Sequence, residues 1–139
     1  MKTRKLWHCA ICKRGFAKRR QWHSCQVSPV EAHFRGKPAW LKSLFGELVS
    51  QLKKSGPLRI DAVKTSINFA STFHFGGVRV QRDSLRIGFV LNRCLHHHQI
   101  LRVLKVGPSL YSHSVKLTRR EDLNRQVLGW LMDAYNRSA

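Results

Sequence analysis

Leu85-Arg86-Ile87-Gly88-Phe89-Val90-Leu91 is the stretch that decides the fold. Apolar residues at 85, 87, 89 and 91 alternate with Arg86, Gly88 and Val90. A strand turns successive side chains to opposite faces, so this spacing predicts a strand with one covered face and one open face. Sheets of that kind are antiparallel, with the apolar face packed on a core.

Working outward, Asp83-Ser84 marks a turn, preceded by Val78 and Val80. Phe73 and Phe75 lead into Gly76-Gly77, which suggests a bend or bulge. Leu58, Ile60 and Ala62 alternate with Arg59 and Asp61, and the period continues through Ile67 and Phe69 after Lys64-Thr65-Ser66. Downstream, an apolar run from Ile100 to Val106 stops at Gly107-Pro108, and Tyr111, His113, Val115 and Leu117 alternate with Ser112, Ser114 and Lys116. About five short strands with short connections predict an antiparallel meander.

The period changes at both ends of this region. Leu41, Leu44, Phe45, Leu48, Val49 and Leu52 recur at helical spacing between Pro38, a good first-turn residue, and the stop Lys53-Lys54-Ser55-Gly56-Pro57. A helix over 38–54 follows. Thr118 and Glu121 have the spacing of a capping box, ahead of an apolar face formed by Leu123, Val127, Leu128, Trp130, Leu131, Ala134 and Tyr135. The fold class is α+β: an antiparallel sheet of about five strands flanked by two helices packed on one side, with an N-terminal zinc-knuckle module in front.

That module rests on Cys9-Ala10-Ile11-Cys12 and on His23-Ser24-Cys25. Cys-x2-Cys supplies two soft ligands from a tight knuckle, and His23 and Cys25 complete a tetrahedral Cys3His site for structural zinc. The pair His23-x-Cys25 cannot share a helix face, so it belongs to a loop or extended turn. A second assignment takes Cys25 with His33 and leaves His23 aside; the first orders fewer residues. No open coordination position is implied, so the metal is a staple and not a catalyst. The competing reading is a set of unliganded thiols. The resulting organisation is a knuckle with a basic arm over 1–28, a linker over 29–37 and an α+β domain over 38–139.

Charge bounds the partners. Of 139 residues, 26 are Lys or Arg and seven Asp or Glu, a formal net charge of +19 with a pI of about 11.2. Such a balance points to a polyanion, with nucleic acid first and an anionic membrane surface second, and leaves an acidic protein as a further partner. Residues 1–25 hold eight cations and no carboxylate. Lys13, Arg14, Lys18, Arg19 and Arg20 are the expected phosphate contacts, whereas Trp7, Phe16 and Trp22 either stack on bases or form the knuckle's own small core. No recognition helix is evident, so no sequence preference is expected. Three cysteines in a metal-like cluster and one apart argue for a reducing, cytoplasmic setting. No signal-peptide core and no membrane-spanning run is present.

Enzyme chemistry finds little support. The seven carboxylates form no recognisable metal-holding pair, and no glycine-rich loop opens a helix. The alternative to a nucleic-acid binder is a small-ligand or catalytic domain with a pocket near His113, using Lys64, Thr65 and Arg86 as neighbours across the sheet. His113 is otherwise a buried, hydrogen-bonded histidine, His96-His97-His98 a solvated loop, and Cys94 a buried or edge thiol.

The segment from about 38 to 136 resembles an uncharacterised bacterial domain family of unknown function. The residues that carry the likeness are Lys64-Thr65-Ser66-Ile67-Asn68-Phe69, Phe75 with Val78, Leu85–Leu91, Tyr111–Leu117, and Trp130-Leu131 with Ala134-Tyr135. Trp7-x-Cys9-x2-Cys12-x3-Phe16 with His23-Ser24-Cys25 is similar to the zinc knuckle often attached to it. The resemblance implies the fold and the two-part layout, and implies no activity. The run of cations from Lys13 to Arg20 and the histidine triplet go beyond the family's pattern.

Overall fold

The computed structural model describes residues 6–10, 15–16, 18, 20 and 30–139. Two short strands, β1 (Trp7–His8) and β2 (Gly15–Phe16), pair antiparallel at the N-terminal end. A 3-10 turn at Val30–Phe34 precedes helix α1 (Ala39–Lys53). Then come β3 (Arg59–Ala62), β4 (Ile67–Ala70), β5 (His74–Val80), β6 (Leu85–Leu91), β7 (Ile100–Gly107) and β8 (Leu110–Leu117). A second 3-10 turn, Arg120–Asp122, leads into helix α2 (Arg125–Arg137).

Helix α1 forms as its periodicity requires, with Leu41, Leu44, Phe45, Leu48, Val49 and Leu52 all buried. Past its end at Lys53 the chain turns at Gly56, whose φ of +143° favours glycine. The hydroxyl of Tyr135 fills the space a side chain there would need and donates to the carbonyl of Pro57 at 2.6 Å. Residues 30–37, expected as linker, are tied to the core: Phe34 is buried and lies 5.3 Å from the ring of Phe45.

Helix α2 starts later than the capping-box spacing suggested. Asn124 is its N-cap, with the side-chain oxygen accepting from the Val127 amide at 3.0 Å. Thr118 makes a different local structure. Its amide and hydroxyl donate to the carboxylate of Asp122 at 2.9 and 3.1 Å, and the Arg119 amide adds a third bond at 3.3 Å. Asp122 therefore collects the donors assigned to Glu121, and those bonds hold its carboxyl below the usual range although burial opposes the shift.

The sheet has six strands in the order β3-β4-β5-β6-β8-β7, all antiparallel. The sixth strand was hidden because Lys64-Thr65 tips a hairpin without glycine, asparagine or proline; the Val63 amide closes it onto Ser66 at 2.9 Å. The meander is also broken once. Strand β8 inserts beside β6, and β7 is displaced to the edge. Their burial explains the exchange: β8 alternates buried and part-exposed residues like a central strand, whereas Leu101, Leu104 and Val106 of β7 stay 57%, 47% and 55% exposed.

Helix α2 lies on one face of the sheet, against β5 and β6, and α1 packs on α2 and shares that core, with the ring of Phe45 6.1 Å from that of Phe69 on β4. Leu85, Ile87, Phe89 and Leu91 of β6 point into that core with Ile67, Phe69, Val78, Val115 and Leu117. Phe89 stacks between His113 and Trp130, with ring centroids 5.2 and 6.0 Å away.

Candidate functional site

Among the described residues, no helix lies on the other face of the sheet. Its residues are set by register. Asp61 pairs with Asn68, Asn68 with Gly77, Gly77 with Gly88, Gly88 with Ser114, and Ser114 with Arg102. One row thus crosses all six strands, with two glycines side by side at its centre. The next row is cationic: Arg79 pairs with Arg86, and Arg86 with Lys116. Cross-strand partners sit about 4.5–5.5 Å apart, where like charges repel. None of Arg79, Arg86, Arg102 and Lys116 makes an ion pair with a described carboxylate.

These rows enclose a concavity of about 420 Å³, lined by Ser66, Asn68, Arg79, Arg86, Arg102 and Ser114 around the glycine floor. The side chain of Asn68 accepts from the Ser66 hydroxyl at 3.2 Å. The two glycines have different origins. A Cβ on Gly77 would lie 2.7 Å from the carbonyl oxygen of Ile67, so close strand approach demands glycine there. A Cβ on Gly88 would meet only the carbonyl of His113 at 3.7 Å, an ordinary contact.

At the β3 end the row closes on a polar cluster. Asp61 is 8% exposed; its carboxylate takes the ring Nε2 of His74 at 2.8 Å and the Nε of Arg59 at 3.4 Å. Burial pushes the Asp61 carboxyl up, but the His74 hydrogen bond and the charges of His74 and Arg59 outweigh it and leave the group below its usual range. Ala70 pairs with both Arg59 and His74, and its small side chain lets the cluster span β4. A terminal nitrogen of Arg59 also reaches the Gly15 carbonyl at 3.5 Å, joining the N-terminal hairpin to this edge.

The pocket expected from Lys64, Thr65, Arg86 and His113 does not form. His113 is fully buried on the helix side, where its Nε2 accepts from the Leu95 amide at 3.1 Å. Arg86 pairs with Lys116, three residues along the same ladder and on the opposite face. Lys64 and Thr65 lie exposed at the β3–β4 turn. Burial lowers the pKa of His113 and keeps the ring neutral, against an opposing pull from the backbone of Phe89 and Tyr111.

Of the expected zinc ligands, Cys9 is buried beside β1, and Cys12, His23 and Cys25 lie outside the described residues. His33 is described, and its Nε2 is buried without a hydrogen-bond partner. Among the described residues no three metal-ligating side chains cluster. Lys18 and Arg20 are exposed; Lys13, Arg14 and Arg19 fall outside the described residues. In the histidine triplet, His96 and His98 are exposed, while His97 is half-buried and packs edge-on against Trp130 at 5.1 Å. Cys94 is exposed, which corrects the expectation of a buried thiol and leaves the edge reading. No described helix is long and apolar enough to cross a membrane.

Arg79, Gly88, Arg102, Ser114 and Lys116 were not singled out from sequence, and Gly77 was read only as part of a bend or bulge. The hairpin around 81–84 would have paired Arg79 with Arg86. Adding Lys116 required knowing that β8, and not β7, adjoins β6.

Residues 30–138 match the profile of a domain of unknown function, DUF5655. The chain belongs to that family. No curated protein and no solved structure gives a significant match. The DUF5655 domain begins at Val30, so the 3-10 turn that buries Phe34 is part of it.

Proposed function

We propose that this DUF5655 protein binds nucleic acid through phosphates, without strong sequence preference, using the open face of its sheet together with the basic N-terminal arm. The observation that carries the reading is the cross-strand row Arg79–Arg86–Lys116 on the face that no described helix covers. Three like charges in register are unfavourable in the isolated protein, and a polyanion relieves that repulsion. The net charge of +19 supplies attraction at longer range. Lys13, Arg14, Lys18, Arg19 and Arg20 add contacts from the arm.

The same proposal gives the N-terminal module a structural zinc held by Cys9, Cys12, His23 and Cys25. Its support is the β1–β2 hairpin, which brackets residues 9–14 and buries Cys9. The orphaned Nε2 of His33 favours the second assignment, with His33 in place of His23. Elemental analysis of His23→Ala and His33→Ala variants separates the two: the ligand's loss lowers zinc below one per chain.

The functional reading is tested by binding to mixed-sequence single-stranded and duplex oligonucleotides over a range of salt. Affinity falling linearly with salt on a log–log scale supports it. Neutralising the five arm cations is expected to flatten the slope. Binding that is weak at low salt, or selective for one acidic protein over nucleic acid, contradicts it.

A further inference from the structure

Gly88 is unexplained by the fold. It sits in the middle of a central strand, where glycine weakens pairing and a β-branched residue would serve better. Its missing side chain leaves open space, since a Cβ would touch nothing closer than 3.7 Å. Gly77, directly opposite, is glycine for packing reasons, so the fold alone accounts for half of the glycine floor and not for the other half.

What surrounds the floor is chemically of one kind. The cation row borders it along one side, and Ser114 and Arg102 continue it toward β7. Asn68 and Ser66 stand at the other end. The one buried carboxylate on the row, Asp61, is engaged by His74 and Arg59 at the far edge, and Asp83 is exposed in the β5–β6 turn. Hydroxyls, amides and guanidinium groups around a bare backbone are the donors that take phosphate oxygens. Among the described residues no aromatic ring lies on the floor; Phe89, next to Gly88, turns to the core and is 1% exposed. Stacking platforms that hold bases are built from such rings. The floor therefore suits backbone phosphates and not bases.

We propose that the Gly77–Gly88–Ser114 row is a trough for the phosphodiester backbone of an unpaired nucleic-acid strand, and that Gly88 keeps it open. From Asn68 to Arg102 the row crosses four strand spacings, about 19 Å, room for a short run of extended backbone. A duplex presents its phosphates on a convex cylinder and touches the rim cations without entering the floor. This assignment rests on the reading of the protein as a nucleic-acid binder and sharpens it to one strand and one place.

The test compares the full chain with Gly88→Val and Gly88→Ala, measuring thermal stability and affinity for a short mixed-sequence single strand, the matching duplex and a free nucleoside monophosphate. The expected result is roughly a tenfold loss of single-strand affinity in Gly88→Val, a smaller loss in Gly88→Ala and in duplex binding, and an undiminished melting temperature. Should Gly88→Val fail to fold, Ser114→Val, which fills the same floor from the neighbouring strand and leaves the rim cations in place, is expected to give the same selective loss. Wild-type-like single-strand binding by folded Gly88→Val, with the native chain binding nucleic acid, overturns the trough and leaves the broader reading standing. Absence of nucleic-acid binding by the native chain overturns both. A mononucleotide that binds as tightly as the strand assigns the trough to a small phosphorylated molecule and overturns the strand assignment.

Discussion

The two faces of the sheet are written in the same strands and follow opposite rules. On one face Ile67, Val78, Leu85, Ile87, Phe89, Val115 and Leu117 are buried under two helices. On the other, a step of one residue away, stand Asn68, Gly77, Arg79, Arg86, Gly88, Ser114 and Lys116, with no described helix above them. The first face maximises contact. The second holds like charges in register and omits a side chain at Gly88, where the fold would accept one. Stability is therefore concentrated on one side, and what remains for recognition lies on the other.

The sharpest way to break this division is to damage the covered face. Phe89 is enclosed by His113 and Trp130, so Phe89→Ala leaves a cavity and is expected to cost about 3–5 kcal/mol in denaturant unfolding. Its neighbour Gly88 tolerates a Cβ, and Gly88→Ala is expected to leave unfolding unchanged. Equal losses at both positions would erase the distinction between the faces.

Damage to the open face should do the reverse. Arg79→Gln, Arg86→Gln and Lys116→Gln together remove three phosphate partners and are expected to lower the log–log salt slope of single-strand binding by about 2–3. Unfolding of this triple variant is expected to be unchanged or a few tenths of a kcal/mol more favourable to the native state, because the cross-strand repulsion is gone. Loss of stability without loss of binding would contradict the division.

A smaller effect is expected at the start of α2. Asn124→Ala removes the cap and should cost about 1 kcal/mol, whereas Thr118→Ala removes one of two Thr118 bonds to Asp122 and should cost less. The comparison checks which residue begins the helix that covers the core face.

The smallest effect concerns pH. His113 is buried neutral with its pKa lowered from 6.5, so below that value the unfolded chain takes up a proton that the native chain refuses. Its contribution is complete above pH 6.5 and is lost as pH falls from there toward the native-state value. A His113→Gln variant is expected to show a shallower decline in stability across that window. Asp61 acts in a separate window: its carboxyl is held below 3.8, so its contribution is lost only in stronger acid.

Much of the covered face was legible in the sequence because burial imposes a period. Leu41 to Leu52 and Leu85 to Leu91 repeat at 3.6 and 2, and both elements form as read. The start of α2 was not legible, because Asp122 and Asn124 compete with Glu121 for nearby donors and only geometry decides among them. The open face was harder still. Arg86 was noticed, but its neighbours depend on strand order, and the insertion of β8 beside β6 leaves no local mark. His113 was legible: its spacing with Val115 and Leu117 favoured the buried, hydrogen-bonded reading, which holds, over the alternative of a pocket group.

The central claim, that the uncovered face meets the polyanion, is tested most directly by lysine footprinting of the native chain with and without a single-stranded oligonucleotide. Lys116 lies in the cation row, and Lys42, Lys53 and Lys54 are exposed at α1 on the helix side. Protection of Lys116 from acetylation, with the three α1-side lysines modified as in the free protein, is the predicted result. Protection of Lys42, Lys53 and Lys54 with Lys116 unchanged would place the ligand on the helices and contradict it.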